Sequence, residues 1–196
     1  MDKLEIARRQ LGTALALFLN DGDPVSVHCL ACGGGEVAET LTERAGGEPF
    51  SAHALGVVPD LTKRSLREMR NRYWNAFKHA LDHAGMERQD EEILEQFSDE
   101  KNDHVLFVGW YDLALAAGKM PVEAQAFQAW YFARFPEKLA DECDPAVYDA
   151  IFPDLNSLTR ADQKTRLREA IARARLNDEV MSHIKNDRDP LILPIA

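Results

Sequence analysis

Apolar residues recur at three- and four-residue spacing along most of the chain, and no segment shows the two-residue alternation of a half-buried strand. Such a pattern folds into helices that each bury one stripe. Leu4, Ile6, Ala7, Leu11, Ala14, Leu15 and Phe18 form the first stripe, and Asn20-Asp21-Gly22-Asp23-Pro24 ends it. Asp23 as N-cap and Pro24 at the first helical position open a second helix over Val25 to Ala45, stopped by Gly46-Gly47. Residues 48–60, with their prolines and glycine, read as a crossing connection, and Thr62 caps a third long helix through about Asp82.

The acidic stretch 85–102 around Ile93, Leu94 and Phe97 predicts a short amphipathic surface helix. Residues 103–117, which include Val105, Leu106, Phe107, Val108, Trp110, Tyr111 and Leu113, are too apolar to stand in water and belong in the core. The helix opened by Pro121, with Phe127, Trp130, Tyr131 and Phe135, joins them there. A short helix over 145–152 follows, then a polar, Arg-rich one from Arg160 to about Lys185 capped by Thr159. The apolar tail 189–196 is interrupted by Pro190 and Pro194, so it is expected to lie on the body or to meet a partner. The fold expected is all-α: an irregular helical bundle of about six to eight helices. It forms a single domain over residues 1–196, with an N-terminal helical unit at about 4–83 and accessory helices at about 90–185.

At 196 residues the chain has enough apolar material for a core without metal or disulfides, so no metal or other cofactor is expected. Cys29, Cys32 and Cys143 are an odd number, the start Met1-Asp2-Lys3-Leu4-Glu5 lacks the apolar region of an export signal, and no apolar run spans a bilayer. Reduced thiols, a cytoplasmic location and no membrane partner are the expectation. A net charge of -10 argues against general DNA or RNA binding and leaves room for one local basic site, so any RNA or nucleotide contact must be focal.

One segment offers such a focus: Arg70-Asn71-Arg72-Tyr73-Trp74-Asn75-Ala76-Phe77-Lys78-His79. On a helix, Arg72, Asn75 and His79 share one stripe, and that trio suits phosphate chemistry. An Arg neutralises phosphoryl oxygens, an Asn orients a hydroxyl, and a His moves a proton near neutrality. Glu36 and Glu39, three residues apart on the second helix, are placed to meet Arg70, Arg72 or Lys78, as ion pairs or as ligand-binding groups. Cys29 and Cys32 lack a second Cys pair and read as small thiols packed inside. Gly33-Gly34-Gly35 inside a helix costs about 1 kcal/mol per residue against Ala, which close approach of another helix or a ligand would offset.

The run His28-Cys29-Leu30-Ala31-Cys32-Gly33-Gly34-Gly35-Glu36-Val37-Ala38-Glu39, followed by Asn75-Ala76-Phe77-Lys78-His79, resembles the helix pair of the HEPN superfamily, in particular its bacterial members. The resemblance covers roughly residues 4–83. It implies a helical bundle, a homodimer and, in active members, a metal-independent endoribonuclease built on an Arg and a His separated by four to six intervening residues. Carried onto this chain, Arg72 would bind the scissile phosphate, His79 would act on the 2′-hydroxyl or the leaving group, and Asn75 and Lys78 would assist. Trp74 stands where those relatives carry an Arg immediately before the Asn. Two alternatives stay open: a non-catalytic partner-binding helical protein, and a metal-dependent hydrolase built on the i, i+4 pair His79 and His83.

Overall fold

The computed structural model describes residues 1–140 and 143–194. The fold is all-α, and it divides into two compact units, Met1–Ala117 and Gly118–Ala196.

In the first unit α1 (Lys3–Leu19) and α2 (Pro24–Arg44) begin at side-chain caps, Asp2 accepting the Glu5 N–H and Asp23 the Ser26 N–H, each at 2.8 Å. Then come α3 (Phe50–Val57), α4 (Lys63–Lys78), the short α5 (Glu91–Glu95) and α6 (Lys101–Ala117). Helices α1, α2 and α6 make the core, with Leu11, Leu15, Phe18, Ala31, Leu106 and Trp110 fully buried. The glycines explain how closely they pack. A Cβ on Gly109 would stand 2.6 Å from Leu11 Cδ2, and one on Gly34 would stand 2.8 Å from Leu11 Cγ. Leu11 fills a notch that any side chain at those positions would close, so contact across three helices offsets the helical cost of glycine.

Two expectations for this unit need correction. Residues 48–60 are not all connection: 50–57 form α3, because Asp112 on α6 accepts the Phe50 N–H at 2.8 Å and satisfies the start of that helix from outside. Helix α4 opens as expected with a Thr62–Ser65 capping box but stops at Lys78, well short of Asp82. A turn competes successfully there. The Asp82 carboxylate accepts the N–H groups of Ala84 and Met86 at 2.8 and 2.9 Å, Gly85 takes φ +77°, and the Arg88 N–H reaches back to the Ala80 carbonyl.

The second unit contains β1 (Met120–Pro121), α7 (Val122–Arg134), α8 (Pro145–Ile151), α9 (Arg160–Arg175), α10 (Asp178–Ser182) and β2 (Asn186–Asp187). The two-residue strands pair in parallel, Met120 with Asn186, a pairing absent from the sequence expectation. Trp130 is fully buried, donates its indole N–H to the Gln163 carbonyl at 3.0 Å, and has the guanidinium groups of Arg134 and Arg160 5.4 and 5.3 Å from its ring centroid. The Arg-rich helix ends at Arg175 instead of Lys185, because the Asn177 side chain accepts the N–H groups of Glu179 and Val180 and starts α10. In the tail Leu191 is buried and Ile192 exposed, while residues 195–196 of that segment lie outside the described residues. Among the described residues, no helix is long and apolar enough to cross a membrane.

Candidate functional site

Helix α4 is the most polar helix of the first unit and its charge is one-sided: Lys63, Arg64, Arg67, Arg70, Arg72 and Lys78 against the single acid Glu68. None of its residues is fully buried. It lies against α2, α3 and α5 by an apolar edge that includes half-buried Tyr73 and Phe77. Those two rings stand edge-on to His28 of α2 at 5.9 and 5.7 Å, and Phe97 completes the surround at 5.4 Å. With that edge turned inward, Lys63, Arg64, Arg67, Arg72 and Lys78 are exposed to solvent, and Arg70 is half-buried.

The cations have different attachments. Arg70 pairs with Glu39, so one of the two candidate carboxylates makes the expected bridge to this helix. Glu36 is exposed and forms no ion pair among the described residues. Arg72 donates to Gln96 Oε1 at 2.9 Å, and its guanidinium lies 5.6 Å from the Tyr73 centroid. The Lys78 ammonium sits 3.6 Å from the centroid of the Trp74 ring, a cation–π contact. Asn75 is half-buried, and its carbonyl accepts the His79 N–H at 3.1 Å.

His79 does not sit on the helix as expected. It is the C-cap, with extended dihedrals of φ -124° and ψ 112°, because the turn over 82–86 draws the chain away from α4. Its N–H still continues the helical ladder, so its backbone stays in line with Arg72 and Asn75 while its exposed ring projects from a non-helical residue. Among the described residues no side-chain hydrogen bond or ion pair joins Arg72, Asn75 and His79. His83 lies inside the turn, so the i, i+4 relation with His79 is lost. Among the described residues no three His, Cys, Asp or Glu side chains assemble into a metal site.

Behind α4 the structure assembles groups that spacing alone does not connect. A cleft of about 270 Å³ lies between α2, α3, α4 and α6, and His28 forms part of its wall. His28 Nδ1 is 3.0 Å from Asn102 Oδ1, and Asn102 uses its Nδ2 to donate to the Pro24 carbonyl at 3.0 Å. Asn102 therefore presents an acceptor to the ring, Nδ1 carries the proton, and Nε2 holds a lone pair. Burial pushes the His28 pKa down, against a smaller upward pull from Asn102, so the ring is neutral at physiological pH. Its Nε2 has no partner among the described residues. The only sequence signal for Asn102 is an amide beside an apolar run. Cys32 is buried nearby, and burial drives its thiol up to about 12, which removes it from thiolate chemistry.

No protein-family model, curated protein or solved structure matches this chain.

Proposed function

We propose that the unit Met1–Ala117 is an RNA- or nucleotide-directed, HEPN-like module that meets phosphate with the outer face of α4. One observation carries this reading. In a chain of net charge -10, α4 concentrates six cations against one acid, and Lys63, Arg67, Arg72 and Lys78 are exposed without a carboxylate partner among the described residues. A focal positive face attracts a phosphate group at short range, while the acidic remainder repels long polyanions. Short single strands and nucleotides fit that balance better than duplexes do. The resemblance adds a homodimer and the Arg72–His79 pair as a cleaving site. Such a site needs no metal when the 2′-hydroxyl is held beside its phosphate.

Binding without cleavage is the second reading. Trp74, capped by the Lys78 ammonium, occupies the place where the relatives carry an Arg, and Arg72 is already engaged by Gln96. The test is fluorescence anisotropy with short single-stranded RNAs at low ionic strength, comparing the natural chain with Arg67→Glu/Lys78→Glu. Saturable binding that weakens with salt and collapses in the variant supports the proposal. Absence of binding across the panel, or binding unchanged by the two reversals, would overturn it.

A further inference from the structure

We infer that the cleft behind α4 is a binding site for a small, neutral, two-ring aromatic molecule whose single N–H or O–H donor is accepted by His28 Nε2. This site lies on the inner side of α4, where Arg70 is the helix's one cation in the lining, and stands independently of the phosphate reading.

Its apolar walls include Leu66 and Met69 from α4 and Val105 and Val108 from α6, with Ser51 and Asn71 as neutral polar neighbours. Gly35 and Gly109 contribute bare backbone, so close together that a Cβ on Gly35 would lie 3.4 Å from the Gly109 Cα. A cavity of about 150 Å³ lined by such groups takes one benzene, so about 270 Å³ has room for two fused rings. The charges around the cleft argue for a neutral occupant. Arg70 is tied to Glu39, while Glu36, Lys101 and His104 are exposed, so no buried counter-charge awaits an ion.

The polar handle is His28, 2% exposed, with its tautomer set by Asn102. A buried acceptor left unpaired is costly, and a ligand donor removes that cost. Nε2 is shut off from water, so the ligand reaches it by displacing a ring. Of the three rings edge-on to His28, Tyr73 is the one that also lines the cleft, and its hydroxyl is held by a single 3.3 Å bond to the Gln96 carbonyl. Because α4 buries no residue fully, an occupant also supplies the apolar contact which that helix lacks.

The experiment compares indole with benzothiophene, a ring system of the same shape without the N–H, titrated into the full chain by calorimetry. Indole should bind about 2- to 12-fold more tightly, the range expected for one net hydrogen bond. The ¹⁵N resonance of His28 Nε2 should move with indole and not with benzothiophene. His28→Phe should abolish the preference while keeping benzothiophene binding, and Val108→Trp, which fills the cleft, should abolish both. If His28→Phe fails to fold, the ¹⁵N shift in the natural chain decides. Failure of either probe to bind, equal affinities with an unmoved Nε2 resonance, or indole binding retained in Val108→Trp would overturn the inference.

Discussion

Asp112 on α6 accepts the backbone N–H of Phe50 at 2.8 Å, so one buried carboxylate starts a helix that lies 62 residues earlier in the chain. Burial pushes this carboxyl up to about 6; the Phe50 bond and Arg70 restrain the rise, and Glu39 and Glu43 add to it.

The folded chain therefore holds a proton on Asp112 that the unfolded chain releases near the ordinary value of 3.8. Its contribution to stability is present below about pH 4 and is lost as the pH rises through about 6. Asp112→Asn keeps an oxygen for Phe50 and removes the buried charge. The variant should gain on the natural chain between pH 4 and 7, by up to about 3 kcal/mol, because each tenfold change in proton affinity is worth roughly 1.4 kcal/mol. Urea unfolding across that range measures the difference, and a variant less stable at pH 7 would contradict the buried-charge account.

Gly109→Ala should destabilise by about 1–3 kcal/mol, since the new methyl would meet Leu11 Cδ2 at 2.6 Å within a packed three-helix core. Gly56→Ala is the control. No atom lies within 4 Å of a Cβ there, and the helical position favours Ala by about 0.4–1 kcal/mol. Thermal melts of the two variants should shift in opposite directions.

If the proposed module cleaves RNA, His79→Ala should slow cleavage by about 10²- to 10⁴-fold without altering the melt, as expected for loss of an acid–base group. Arg72→Lys should also be poorly tolerated, because an ammonium cannot replace the guanidinium fork on a phosphate. Cleavage should persist in EDTA. A rate indifferent to His79 would assign the cleavage elsewhere and leave α4 a binding face alone.

Thiol labelling should be sharply graded. Cys143 is exposed and reacts first, whereas Cys32 is buried with its thiol held near 12 and stays silent until the chain unfolds. Cys29, half-buried and also raised by burial, falls between them. A reagent such as DTNB should show one fast thiol that disappears in Cys143→Ser.

Local chemistry is the legible part of this chain. Asp23 and Pro24 start α2 by contacts within three residues, and the apolar stripes of α1 and α6 name their own buried faces. Opposite charges on Glu39 and Arg70 make a bridge foreseeable. The end of α4 lies short of where helical periodicity puts it because turn chemistry prevails there, and Asp82 and Gly85 carry that signal in plain residue types. What pattern cannot supply is long-range pairing. The Asn102 that orients His28 lies 74 residues from it, and the carboxylate that begins α3 lies on α6. Neither has a periodic signature, and both belong to the ground on which function is argued.

That α4 buries no residue fully has a consequence for how the first unit opens. The free energy needed to detach a helix follows the contacts it would lose, and α1, α2 and α6 hold their core among themselves. Amides of α4 should therefore exchange with solvent through sub-global openings that leave those three helices protected. The helix that concentrates the unit's positive charge thus lies outside its most protected core, and each excursion uncovers the His28 ring without unfolding what lies beneath it.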